Sequence, residues 1–134
     1  MDLKKAPEEE NFQFQAIGYV ENAFQEPTSP DTLSASPSRI LLAPDLQEGL
    51  TGLEPGMALL VVFVFHRAEG YDLLQHPRGD RSRPKRGVFA LYSPNRPNPI
   101  GITEVELAAI EGNVLTVCGL DALDGTPVLD LKPV

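Results

Sequence analysis

The first legible pattern is an alternation. Phe12, Phe14 and Ala16 are interleaved with Gln13 and Gln15, the period-two signature of a half-buried strand, and a change of face near Gly18 is where a bulge is permitted. This predicts a first strand over residues 13–21. Residues 39–43 are a short Leu- and Ile-containing run and predict a second strand. Residues 45–53 have Asp45 as an N-cap and Gly52 as a terminator, which predicts one or two helical turns. The run ALLVVFVF at residues 58–65 is apolar at every position and predicts a strand buried on both faces at the centre of the core. Residues 87–92 predict a further short strand. Thr103, Val105, Leu107 and Ala109 alternate with Ile102, Glu104, Glu106 and Ala108, so this segment reads as a strand with one apolar face. Glu111, Gly112 and Asn113 then turn the chain into a hairpin partner over residues 114–118. A last turn at Asp124-Gly125-Thr126-Pro127 leads into residues 128–131. Six to seven strands, short helical turns and long loops favour an all-β fold, a compact β-barrel or sandwich.

The 134 residues, 42% of them hydrophobic, suit one domain over residues 1–134, with residues 1–11 as a flexible, mixed-charge N-terminal segment. Residues 25–38 carry three prolines and many small polar residues, which predicts a long loop. No apolar run approaches the roughly 18 residues that a membrane helix needs, and the N-terminus lacks a signal-peptide core, so a cytoplasmic protein is expected. Cys118 is the sole cysteine and His66 and His76 the only histidines. One chain can form neither a disulfide nor a Cys-rich zinc site, and no metal is expected.

A formal net charge of −8 argues against bulk attraction to nucleic acid, but the charge is unevenly placed. Arg78, Arg81, Arg83, Lys85 and Arg86 lie within nine residues that hold one acid, Asp80, so this window is +4 and the remainder −12. Sequence leaves two readings open, a solvated surface loop and a phosphate-facing loop.

The chain contains no G-x-G-x-x-G after a strand, no P-loop, no G-x-S-x-G and no H-E-x-x-H, which removes the commonest nucleotide-binding and hydrolase templates. Its densest unusual segment is SPNRPNPIG at residues 93–101, where three prolines stiffen the backbone around Arg96 and Asn98. An arginine fork beside an amide suits a carboxylate, a phosphate or a base edge. Alternatively, the prolines only prevent mispairing of an edge strand while Arg96 makes an internal ion pair. Asp121, Asp124 and Asp130 cluster in LDALDGTPVLDLKP at residues 120–133, as ligands for ribose hydroxyls or as turn residues.

Taken together, IGYV at 17–20, HPRG at 76–79, GVFA at 87–90, RPNPIG at 96–101 and DALDGTPVLDLKP at 121–133 resemble, in order and spacing, the TrmO family, also called TsaA-like or YaeB-like. The resemblance implies a small β-barrel without a Rossmann domain that acts as a homodimer and uses S-adenosyl-L-methionine. The family's activity is N6-methylation of threonylcarbamoyl-adenosine beside the tRNA anticodon. Carried onto matching positions, it implies cofactor contacts from His66, Arg67, Tyr92, Ile102, Cys118, Gly119, Leu120 and Asp121. Substrate contacts are expected from Arg78, Arg96 and Asn98, with tRNA as partner. The residue that would act as a base is left open, His66 and Asp121 being the nearest candidates.

Three departures stand out. Tyr92 occupies a position that in the family is commonly arginine. Glu26-Pro27-Thr28-Ser29-Pro30 replaces a Pro-Arg-Gln-like motif, and the sequence ends at Val134 without the extension some members carry. They keep two alternatives alive: an S-adenosylmethionine-binding module without transfer, and a methyltransferase acting on something other than tRNA.

Overall fold

The structure, a computed structural model, describes residues 10–26, 31 and 35–134. Among these, eight strands occur: β1 (Gly18–Glu21), β2 (Ser38–Leu42), β3 (Ala58–Val64), β4 (Leu74–Gln75), β5 (Arg86–Gly87), β6 (Ile100–Glu111), β7 (Val114–Cys118) and β8 (Pro127–Pro133). Six of them close into a barrel in the order β1-β2-β7-β6-β3-β8, β8 pairing back onto β1, and every neighbouring pair is antiparallel. β4 and β5 form a separate two-stranded ribbon. Because successive side chains point to opposite faces, each barrel strand sends alternate apolar residues inward. Val20, Ile40, Leu42, Leu59, Val61, Phe63, Val105, Leu107, Leu115, Val117 and Val128 are buried there in one core, with Leu120 and Ala122 at its edge.

The all-β barrel is the expected one, and the hairpin of β6 and β7 turns at Gly112-Asn113 as the sequence indicates, Gly112 adopting φ 59. Other elements differ. The first strand was expected over residues 13–21, but β1 covers only Gly18–Glu21. Phe12 and Phe14 are 73% and 74% exposed although they share the parity of the buried Gly18 and Val20. No change of face or bulge occurs: Gly18 pairs in register with Leu42. Its glycine is required instead by close approach, since a Cβ there would sit 2.5 Å from the Leu41 carbonyl oxygen. Ile17, just before β1, still donates to the Val128 carbonyl and accepts from the Ala43 N–H, and upstream of it no backbone bond joins residues 10–16 to the barrel among the described residues.

The all-apolar run at 58–65 is not buried on both faces. Leu59, Val61 and Phe63 are buried, whereas Leu60, Val62 and Val64 on the outside of the closed sheet are half-buried. Residues 87–92 are not a strand: β5 ends at Gly87 and a 3-10 turn, Val88–Ala90, follows. The helical turns expected at 45–53 are one 3-10 segment, Pro44–Leu50, capped by Ala43 with no side-chain bond from Asp45. The flexible segment expected at 1–11 lies outside the described residues except for 10 and 11, and of the loop expected at 25–38 residues 27–30 and 32–34 lie outside them, while Ser38 already belongs to β2.

Antiparallel closure has one consequence for function. β1, β3 and β7 end, and β2, β6 and β8 begin, at the same rim of the barrel, so the connections over 22–37, 65–99 and 119–126 emerge together.

Candidate functional site

β6 is longer than either neighbour. Its residues 100–106 pair with β3 and its residues 106–111 with β7. The first half of β6 therefore presents an edge with no strand partner among the described residues, and backbone N–H and C=O groups on such an edge are available to a ligand. A cavity of about 670 Å³ lies along it, lined by Phe63 and Phe65 of the β3 end, residues 89–92, Arg96, residues 100–104 and Asp121. That volume is in the range of pockets that enclose a small organic ligand.

The floor is aromatic. Phe63 and Phe65 meet edge to face at 5.2 Å between centroids, and Gly101 exists to admit them, since a Cβ there would lie 2.6 Å from the Phe63 ring and 2.8 Å from that of Phe65. On the wall, the Thr103 hydroxyl donates to Asp121 Oδ1 at 2.6 Å. The chain reaches Asp121 through Gly119, whose φ of 97 turns it off the end of β7, and through Leu120, which is fully buried and anchors the segment in the core. The charged groups of the lining are Arg96, Glu104 and Asp121. Arg96 Nη1 donates to the carbonyls of Leu91 at 2.9 Å and Ser93 at 3.3 Å, closing the stiff loop on itself. The lining thus carries more negative than positive charge, and its one cation already serves the backbone. Among the described residues no group of three or more His, Cys, Asp or Glu is placed to hold a metal ion, and no helix is long and apolar enough to cross a membrane.

Of the residues singled out in the sequence, Tyr92, Arg96, Ile102 and Asp121 line this cavity. Gly119 and Leu120 support it from behind, and Cys118 is exposed at the end of β7. His66 and Arg67 stand on the same rim but outside the lining. His66 faces the Asp124-Gly125 turn, a Cβ on Gly125 falling 4.0 Å from its Nε2. Arg67 donates to the Gln25 carbonyl and contacts Glu26 Oε2 at 3.4 Å. Asn98 is exposed on the Pro-rich loop, and Arg78 is exposed on the basic loop with a left-handed φ of 52.

Two groups of residues escaped the sequence reading. Phe63, Thr103 and Glu104 belong to regular strands and Phe65 directly follows one, and there alternation marks them as core or surface and nothing marks them as lining. Asn22 is the other: its backbone N–H donates to Asp124 Oδ1 at 3.0 Å, and its amide nitrogen donates to Ser38 Oγ at 3.1 Å and the Ala122 carbonyl at 2.8 Å. It ties the loop after β1 to the segment carrying Asp121. A turn-forming asparagine gives no sequence signal for that role.

The basic loop is internally braced. Asp80 accepts from the Ser82 hydroxyl at 2.6 Å and the Ser82 N–H at 2.9 Å, and these bonds, the hydroxyl's first, hold its carboxyl below the usual carboxylate value. His76 Nδ1 lies 2.9 Å from the Arg83 carbonyl. At the base of the ribbon, Gln75 Nε2 donates to the Asn95 carbonyl at 2.6 Å, which joins the basic loop to the Pro-rich loop beside the cavity.

Residues 18–134 match the family model described as the tRNA-methyltransferase O N-terminal domain. A protein of Pyrococcus abyssi named as a probable S-adenosyl-L-methionine-binding protein is 39% identical over 124 residues, 90% of this chain and 66% of that protein. The human tRNA (adenine(37)-N6)-methyltransferase is 34% identical over 142 residues, 98% of this chain and 32% of that enzyme. The crystal structure of TrmO from Pseudomonas aeruginosa superimposes with a TM-score of 0.73 at 34% identity, covering 95% of this chain and 56% of that one. The chain thus spans from about a third to about two thirds of these relatives. With the barrel, the rim loops and the family match in agreement, this chain belongs to the tRNA-methyltransferase O N-terminal domain family.

Proposed function

We propose that the chain is an S-adenosyl-L-methionine-dependent methyltransferase that N6-methylates threonylcarbamoyl-adenosine beside the tRNA anticodon, with the cofactor held in the cavity along β6. The observation that carries this reading is the composition of that cavity. A flat adenine suits an aromatic and aliphatic floor of Phe63, Phe65 and Ile102 beside an unpaired strand edge, and ribose hydroxyls suit the Asp121 carboxylate. A sulfonium cation is favoured where Glu104 and Asp121 outnumber an arginine already engaged with carbonyls, and aromatic faces attract cations as well. When bound, the cofactor supplies an electrophilic methyl group for in-line displacement.

This chain's residues contribute alignment and exclusion of water. The stiff Pro-rich loop, locked by Arg96, fixes the wall that carries Tyr92. Thr103 fixes the rotamer of Asp121, which holds that carboxylate for the ribose; His66 stands outside the lining. Tyr92, in place of the family's arginine, leaves the lining without a free cation for a carboxylate.

A homodimer and a cytoplasmic location belong to the same reading. Tyr71, Leu73 and Leu74 are 52%, 61% and 61% exposed, apolar surface that a second copy would cover. The experiment is transfer of labelled methyl from S-adenosylmethionine to total tRNA, followed by nucleoside analysis. Label on the threonylcarbamoylated adenosine is expected. Cofactor binding without label in any RNA would move the assignment to a binding module or another substrate.

A further inference from the structure

Resting on the methyltransferase reading, we infer that the basic ribbon loop at residues 76–86 and the exposed aromatic rings at the cavity mouth form a single clamp for an unpaired RNA segment. In this clamp the loop holds phosphates and Tyr92 stacks on a base.

Three observations carry the inference. First, the loop's cations have no ion-pair partner among the described residues. Ion pairs among the described residues join Arg39 to Glu21, Arg67 to Glu26 and Lys132 to Asp130, and none involves Arg78, Arg81, Arg83, Lys85 or Arg86, all of them exposed. The one acid among them, Asp80, is exposed and accepts from the Ser82 hydroxyl and N–H. In a chain of net charge −8, an exposed window that keeps a charge of +4 after its one carboxylate is counted is a localised anion receptor.

Second, the loop is ordered before any ligand arrives. Gly79 N–H donates to the His76 carbonyl, Asp80 N–H to that of Pro77 and Arg83 N–H to that of Asp80. Below them, β4 and β5 pair at Leu74 with Gly87 and at Gln75 with Arg86. A preorganised receptor loses little entropy on binding, and the Gln75 bond to Asn95 fixes its position relative to the cavity wall.

Third, the rim next to this loop is aromatic. Phe89 is 78% exposed and Tyr92 is 84% exposed, and both line the cavity. Solvent-facing rings beside unpaired cations match the way proteins take up single-stranded nucleic acid, phosphates on Lys and Arg and bases on aromatic faces. An acidic peptide would use the cations and leave the rings bare, so RNA fits better.

The test uses the full chain and an anticodon stem-loop RNA, with affinity measured by fluorescence anisotropy across a salt series. Each phosphate of a single strand that the protein neutralises, with release of its counterion, contributes about 0.7 to the slope of log affinity against log salt. Five contacts therefore give a loss of about a hundredfold between about 50 and about 200 mM salt. Combining Arg81→Gln, Arg83→Gln and Lys85→Gln should flatten the slope by about 2 while leaving affinity for S-adenosylhomocysteine, read by calorimetry, unchanged. Tyr92→Ala should weaken RNA binding about tenfold or more, and Tyr92→Phe should restore it.

An unchanged slope in the triple variant overturns the clamp, as does wild-type protein that ignores the RNA. Equal competition by polyglutamate of matched charge overturns the choice of RNA as the anion. Failure of the wild type to bind S-adenosylhomocysteine would instead remove the cofactor reading, with the salt slope still reporting on the loop.

Discussion

The barrel and the connection between β3 and β6 are built on opposite principles. Every barrel strand contributes inward residues to one core, whereas residues 66–99 bury only Pro77 and Val88. That connection nevertheless supplies one wall of the cavity, Phe89, Ala90, Leu91, Tyr92 and Arg96, and all five clustered cations. Its order comes from prolines, backbone turns and a few side-chain bonds such as those of Arg96, Gln75 and Asp80. The lesson is a division of labour: the barrel provides a stable rim and the strand edge that lines the cavity, and a braced but shallowly buried excursion adds the exposed rings and cations, in the way loops positioned by rigid scaffolds commonly carry chemistry.

The sharpest way to break the contrast is in the core. Leu107→Ala removes a fully buried side chain facing the centre of the barrel and should cost about 2–5 kcal/mol, read as a lower denaturant midpoint. Next is the junction between the two regions. Gly101→Ala pushes a methyl against Phe63 and Phe65; overpacking of this kind costs about 1–3 kcal/mol, and because those rings form the cavity floor, affinity for S-adenosylhomocysteine should fall together with stability. Similar affinity in this variant would mean that the floor does not shape the site.

The smallest effect belongs to the excursion itself. Asp80→Ala frees Ser82 and should leave the thermal midpoint unchanged, while the Ser82 amide exchanges faster with solvent. Since folding lowers the Asp80 pKa, its bracing is present above the unfolded value of about 4 and is lost only as pH falls through the folded one. Amide protection at Ser82 should accordingly be flat from neutrality down to mildly acidic pH and fail below that.

How much of this was legible in sequence follows from the same division. The β6–β7 hairpin was readable because alternation and a Gly-Asn turn agree. The rim loops were readable as chemistry because RPNPIG and the terminal Asp-rich segment are unusual in composition. The length of β1 was not readable, since Phe12 and Phe14 keep strand alternation where no partner strand exists. Nor was the burial of 58–65, because an apolar run does not say whether its second face is covered by protein. The cavity floor was hidden for a related reason: Phe63 and Phe65 look like any core aromatics until Gly101 is seen to make room for them. His66 and Arg67 were expected at the cofactor, and they stand outside the cavity lining because the chain after β3 bends at the Ala68 to Phe65 turn.

The central claim is that the cavity along β6 holds S-adenosylmethionine, and calorimetric titration of the wild type and of Asp121→Ala with S-adenosylhomocysteine tests it most directly. Saturable one-to-one binding by the wild type is expected, together with strong weakening in the variant while its circular dichroism is unchanged. Absence of binding by the wild type, or undiminished binding by the variant, would contradict it.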